Sequence, residues 1–290
     1  MAEEQAVIAL LYDFDKTLCT KDMQEYTFIP RVEMSAAEFW RKSNGLSESD
    51  HMDKILAYMY TMLREADHMN LPIRREDFEE CGTGIEYYPG VETWFDRINQ
   101  FGAAQGVTIE HYIISSGLKE IIEGSVIGRE FTKIYACEFY YNVNGTAVWP
   151  LNVVNYTGKT QYLFRINKGI LDISNDVELN AYTPEGQRRV PFRNMIYFGD
   201  GMTDVPCMRL VHTNGGRSIA VYPEGSAKGH KKALELLRDD RVDYVEPADY
   251  QEAGSLEQLV KQIICSMTIT HELLDISAQQ RSKVRKKEVD

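Results

Sequence analysis

The sequence of 290 residues has no run of about 18 apolar residues, so no segment is expected to cross a membrane. It opens Met-Ala-Glu-Glu-Gln, without the basic and apolar regions of a secretory leader. Cysteine is sparse and scattered: Cys19, Cys81, Cys137, Cys207 and Cys265, with no CxxC pair. That spacing speaks against a disulfide framework or a zinc site and suits reduced thiols in a cytoplasmic protein. Positive charge is also in short supply. The 32 Lys and Arg stand against 44 Asp and Glu, a net charge of −12, which argues against nucleic-acid polymers and anionic membranes as partners. Internal repeats and low-complexity segments are missing. What is present is a hydrophobic fraction of 43%, too high for a disordered chain, and a length that suggests two domains.

Residues 7–12, Val-Ile-Ala-Leu-Leu-Tyr, form an apolar run ending at Asp13-Phe14-Asp15-Lys16-Thr17, which predicts a buried parallel strand. From residue 36 to about 85 the pattern is helical. Met52, Ile55, Leu56, Met59, Met62 and Leu63 make a stripe read as helix packing, with Tyr58 and Tyr60 beside it. Tyr88-Pro89-Gly90 predicts a turn into a helix carrying Val91, Trp94, Phe95 and Ile98 on one side. His111 to Ile114 reads as a short strand ending at Ser115-Ser116-Gly117, with a helix resuming from Leu118 to about Val126. Residues 134–149 read as a hairpin about Asn144-Gly145. A helix is expected over 160–167, a loop over 180–193, and a strand from Asn194 to Phe198 that ends at Gly199-Asp200-Gly201. Two further strands are expected at Ser218 to Val221 and Val242 to Val245, and the basic tail from Arg281 reads as a solvated helix end. Strands alternating with helices predict an α/β fold, a parallel sheet doubly wound by helices.

In such sheets ligands bind outside the carboxyl ends of the strands. The clusters at Asp13, Ser115 and Asp200 each follow a strand, so adjacent strands would bring Asp13, Asp15, Thr17, Ser115, Ser116, Gly117, Asp200, Gly201 and Asp204 together. Carboxylates crowded in this way need a cation, and oxygen donors favour Mg²⁺ over zinc. Serine and glycine at strand ends offer hydroxyl and backbone N–H groups to a phosphate. A carboxylate beside both can act as a nucleophile and form an acyl phosphate. Asp15, two residues after Asp13, would lie on the opposite face of a strand unless the backbone bends there.

At these residues the sequence resembles the haloacid dehalogenase (HAD) superfamily. Its first motif, DxDxT after an apolar strand, is matched by Asp13-Phe14-Asp15-Lys16-Thr17. The second, an apolar strand ending in Ser or Thr, is matched by Ile113-Ile114-Ser115, and the fourth, GDGxxD, by Gly199 to Asp204. The third is a lysine near a helix start, for which Lys159 matches best and Lys168 is the alternative. The resemblance implies a Rossmann-like core and Mg²⁺ as cofactor. It makes Asp13 nucleophile and metal ligand, Asp15 general acid/base with its carbonyl toward the metal, Asp200 a metal ligand, and Asp204 and Gly201 supports of the metal site. Ser115, Ser116, Gly117 and Lys159 become phosphate ligands.

The segment between the first two motifs is similar to the C1 caps of the phosphoserine-phosphatase-like branch. This implies a core of residues 1–19 and 86–290 and a helical cap of residues 20–85. The implied activity is hydrolysis of a small phosphomonoester metabolite through an aspartyl-phosphate. Alternatives are a phosphotransferase or phosphomutase on the same scaffold, or a non-catalytic regulatory module. In that branch an acidic residue soon after the first motif receives the substrate ammonium, and Asp22 stands at that place, with Arg41 and Arg64 as candidates for a substrate carboxylate. Lys16 departs from the serine usual there, and the polar insertion over 170–193 is a second departure, so a phosphoserine substrate is not implied by the cap alone.

Overall fold

The computed structural model describes residues 5–287. The first four residues, part of the segment read for a leader, lie outside them. Seven strands form one sheet: β1 (Val7–Tyr12), β2 (Thr108–Leu118), β3 (Lys133–Tyr141), β4 (Ala147–Asn152), β5 (Met195–Gly199), β6 (Arg217–Tyr222) and β7 (Tyr244–Pro247). Their order is β4-β3-β2-β1-β5-β6-β7. Every neighbouring pair is parallel except β3 and β4, the expected hairpin. Helices flank the sheet, as the alternating pattern predicts.

The apolar run of β1 explains its central place. Ile8 to Tyr12 are all buried, as a strand covered on both faces must be. Tyr12 lies opposite Ile113 of β2 and Phe198 of β5, so the residues that follow these three lie side by side at one end of the sheet. The helix Val91–Ala104 buries the predicted face of Val91, Trp94, Phe95 and Ile98. Beneath it runs a buried polar chain: Trp94 Nε1 donates to Tyr12 Oη at 2.9 Å, Tyr12 Oη and His111 Nδ1 are 3.1 Å apart, and His111 Nε2 lies 3.1 Å from Asn99 Oδ1. With Nε2 donating to Asn99 and Nδ1 accepting from Tyr12, the ring must be neutral. Burial accordingly lowers the His111 pKa to about 3.

Between β1 and the helix Val91–Ala104 the chain inserts four α-helices, Phe28–Arg31, Ala36–Ser49, Lys54–His68 and Arg75–Cys81. Ser35 and Asp53 start the two longest by accepting backbone N–H bonds, Ser35 Oγ from Glu38 and Asp53 Oδ1 from Ile55 and Leu56. The predicted stripe splits over two faces of Lys54–His68. Ile55, Tyr58, Met59 and Met62 are buried, whereas Leu56 and Tyr60 are exposed. Tyr58 follows Ile55 by three positions and therefore shares its face. Arg75 ties the insert to the core, with Nη2 donating to Glu138 Oε1 at 3.1 Å and the guanidinium 4.7 Å from the centre of the Tyr141 ring.

Two boundaries differ from expectation. β2 does not stop at Ser115 but continues to Leu118, because pairing with β3 resumes at Leu118 opposite Cys137 after a register shift. The helix that follows is only Lys119–Glu123. The polar stretch after residue 169 holds a short helix, Asp176–Asn180, near buried Arg165, whose guanidinium donates to the Asp172 and Ile173 carbonyls and to Asp176. The five cysteines are all unpaired, and no helix among the described residues is long and apolar enough to cross a membrane. The last helix, Ser255–Lys287, carries Arg281 and Lys283 exposed at its end, while Arg285, Lys286 and Lys287 have side chains outside those described.

Candidate active site

Asp13 is the first residue beyond β1, and its N–H donates to the Phe198 carbonyl of β5 at 2.9 Å. The chain then turns tightly: Leu18 N–H returns to the Phe14 carbonyl at 2.9 Å, and Lys16 takes φ +58°. A side chain in this left-handed region costs about 1–2 kcal/mol. The turn supplies the bend that Asp15 requires, so Asp13 and Asp15 line one cavity of about 380 Å³. Met23 N–H donates to Asp15 Oδ1 at 2.8 Å. Gly117 packs closely beside it, since a Cβ there would sit 2.1 Å from Met23 Cε, which would have to move, and 3.1 Å from Asp15 Oδ2.

Lys159 precedes the helix Thr160–Lys168 and is fully buried. Its ammonium bridges Asp13 Oδ1 at 2.9 Å and Asp204 Oδ1 at 2.8 Å. Tyr197 Oη, from β5, also donates to Asp204 Oδ1 at 3.0 Å. Asp204 packs so closely under β5 that a Cβ on Gly199 would meet its Cγ at 2.6 Å. One carboxylate oxygen each of Asp13, Asp200 and Asp204 lie within 4.8 Å of one another, and Lys232 Nζ is 3.5 Å from Asp200 Oδ2.

The electrostatics follow from burial and crowding. Burial, then the charge of Asp204, pushes Asp13 up to about 7. Burial, then the charges of Asp22 and Asp13, raises Asp15 well above the usual carboxylate range. Asp200 is raised for the same reasons, by burial and then Asp204. Burial alone would lower Lys159, but Asp13 and Asp204 outweigh it and hold the ammonium charged. The arrangement is an all-oxygen donor set with surplus negative charge beside one fixed cation, a set that suits a hard divalent ion.

The haloacid dehalogenase-like hydrolase family model matches residues 10–209. The chain belongs to the haloacid dehalogenase-like hydrolases. It is 28% identical to an uncharacterized protein of Borreliella burgdorferi over 294 residues, covering 91% of this chain and 99% of that protein. Among solved structures it is similar to a HAD family hydrolase from Salmonella enterica serovar Typhi, with a TM-score of 0.54 and 16% identity over 84% of this chain and 68% of that one. A phosphoserine phosphatase solved as a phospho-aspartyl intermediate analogue gives a TM-score of 0.51 and 14% identity over 89% of this chain and 99% of that one. At these identities the structural likenesses show a shared fold.

Within this hydrolase the residues expected at the site are not all brought together. Asp13, Asp15, Ser116, Lys159, Asp200 and Gly201 line the same cavity, and Asp204 stands behind them on Lys159. Ser115 is buried and accepts from Gly117 N–H at 3.0 Å, while Ser116 is the serine that lines the cavity, with a buried Oγ that has no partner. Of the two lysines, Lys159 lines this cavity, whereas Lys168 donates to the Leu179 and Ala181 carbonyls. Asp22 lines the cavity but is paired with Lys16 at 2.6 Å.

Arg41 and Arg64 are not among the residues brought to this cavity. Arg41 is exposed on the helix Ala36–Ser49 and does not line the cavity. Arg64 lies two turns beyond the cavity end of Lys54–His68, over the Tyr60 ring in a separate groove beside Trp149. Sequence reasoning passed over Trp40, Lys54, Tyr58, Tyr197 and Lys232. Tyr58 stands beside a stripe read as helix packing and Tyr197 inside an expected strand, Trp40 falls in none of the patterns, and neither lysine belongs to any motif.

Proposed function

We propose that this hydrolase is a Mg²⁺-dependent phosphatase that cleaves a small phosphomonoester through a phosphoryl group carried on Asp13. The observation that carries the reading is the pairing of two unlike carboxyls in one cavity. Asp13 is held by the Lys159 ammonium, and Asp15 sits where burial and neighbouring charge favour its protonated form. Environments that separate two carboxyl groups in this way assign nucleophile and acid.

Asp13, Asp200 and Asp204 offer the oxygen donors that would hold Mg²⁺, with the Asp15 carbonyl as a further donor implied by the family resemblance. When bound, the ion supplies charge neutralisation for the phosphoryl oxygens and for the crowded carboxylates. The protein's own part runs in two steps. Asp13 attacks phosphorus, the bond from phosphorus to the leaving oxygen breaks, and Asp15 gives its proton to that oxygen. A water then attacks the same phosphorus while Asp15, now a carboxylate, takes its proton. The Asp13–phosphorus bond breaks and the Asp13 carboxylate returns. Lys159 and the Ser116 hydroxyl serve the phosphoryl oxygens.

The inserted segment 20–85 acts as the cap over this chemistry. It contributes Asp22, Trp40, Ser43, Asn44, Lys54, Ile55 and Tyr58 to the cavity wall, so the wall facing the leaving group belongs to the insert. A small capped space of this kind selects small esters and limits water. The test is phosphate release from p-nitrophenyl phosphate with Mg²⁺ and with EDTA. The reading expects turnover that needs the ion, and metal-independent turnover contradicts it.

A further inference from the structure

We infer that the leaving group of the phosphomonoester taken by this site carries a second anionic group and no ammonium, an inference that rests on the phosphatase reading. Most of the fixed charges around the cavity already have a partner. Its wall holds Asp13, Asp15, Asp22 and Asp200 against Lys16, Lys54, Lys159 and Lys232. Lys159 is committed to Asp13 and Asp204, Lys232 stands 3.5 Å from Asp200, and Lys16 is 2.6 Å from Asp22.

The ammonium of Lys54 stands apart, since among the described residues no carboxylate lies within ion-pair distance of it. It lies in the first turn of Lys54–His68, where the helix dipole adds to its positive field. Asp22 is the acidic group an ammonium would need, and Lys16 already neutralises it. The left-handed backbone at Lys16 holds that lysine on the turn beside the nucleophile. An incoming ammonium would therefore have to displace one lysine and approach another. A carboxylate or second phosphate meets Lys54 directly.

The carbon skeleton between the two anions has apolar surface to rest on. The Trp40 indole N–H is committed to Glu25 at 2.7 Å and the Tyr58 hydroxyl to the Ser116 carbonyl at 2.7 Å. Both side chains thus present ring surface rather than free donors to the cavity.

The experiment compares kcat/KM for phosphoglycolate, propyl phosphate and phosphoethanolamine, which share a short skeleton and differ in terminal charge, with p-nitrophenyl phosphate as reference. A partly screened ion pair predicts phosphoglycolate ahead of propyl phosphate by about three- to tenfold, and phosphoethanolamine below both. Lys54→Met should bring the phosphoglycolate-to-propyl ratio to about one, and Lys54→Arg should keep it, because the effect belongs to the charge. Lys16→Met should raise phosphoethanolamine relative to propyl phosphate by freeing Asp22. The inference is overturned if phosphoethanolamine is the best of the three, if the three are equal, or if Lys54→Met leaves the ratio intact. If p-nitrophenyl phosphate is also untouched in the presence of Mg²⁺, the phosphatase reading itself has failed and this inference falls with it.

Discussion

Replacing Lys159 by methionine probes the charge structure of the site without any knowledge of the substrate. The wild-type ammonium is 1% exposed and makes ion pairs of 2.9 and 2.8 Å with two carboxylates that are themselves buried. Methionine fills most of the space but leaves Asp13, Asp200 and Asp204 facing one another without the cation. Removing one partner of a buried pair costs about 3–5 kcal/mol, against about 0.2–1 kcal/mol for an exposed one. For a chain of this size that is a fall in Tm of about 6–10 °C, taking about 2 °C per kcal/mol. Asp13, already pushed up to about 7, is raised further once Lys159 is gone. A carboxyl that binds its proton more tightly when folded loses stability as pH rises, so the cost should be larger at pH 8 than at pH 6. Urea unfolding in EDTA at both pH values measures this. Adding Asp204→Asn to Lys159→Met removes one repelling charge, so the double variant should be more stable than the sum of the singles. A loss below about 1 kcal/mol for Lys159→Met, the range of an exposed pair, would refute the reasoning.

Three further outcomes are expected. His111 is neutral in the fold, with its pKa lowered to about 3 from the ordinary 6.5; its contribution is complete above pH 6.5 and is lost as the pH falls toward 3. The wild type should therefore lose up to about 1.4 kcal/mol per pH unit more than His111→Gln between pH 6 and 4, and equal slopes in denaturant titrations would contradict this. Asp15→Asn should lower kcat by about 10²–10⁴-fold while inorganic phosphate still inhibits; unchanged turnover would remove Asp15 from the mechanism. Arg41→Ala and Arg64→Ala should stay within about twofold of wild type in kcat/KM, as surface changes of about 0.5 kcal/mol do, and a tenfold loss would return either arginine to the site.

Much of the core was legible because its signals are local. The apolar run of β1 and the short run before Gly199 both become strands buried at the centre of the sheet. The polar residues that end them converge because Tyr12 pairs with both Ile113 and Phe198. The bend demanded by Asp15 is met by the turn at Lys16. The insert was harder to read. Periodicity shows that Lys54–His68 is a helix, but not that its two faces serve different spaces, with Tyr58 toward the cavity and Tyr60 and Arg64 toward another groove. That choice depends on how the helix is rolled against its neighbours, a tertiary property. The extension of β2 through Ser116 was missed for a related reason, since the pairing that sustains it comes from β3 and not from its own sequence. Charge pairing is likewise invisible in one dimension: Asp22 and Lys16 are both near the motif, and only the turn brings them to 2.6 Å.

The account stands on Asp13 as the atom that carries the phosphoryl group. Rapid acid quench of the Mg²⁺-loaded enzyme during p-nitrophenyl phosphate turnover, followed by peptide mapping by mass spectrometry, tests this directly. The account predicts an acid-stable, base-labile phosphoryl group on the peptide containing Asp13, absent from Asp13→Asn, which should also lose turnover. A phosphoryl group on another residue, or undiminished turnover by Asp13→Asn, would contradict it.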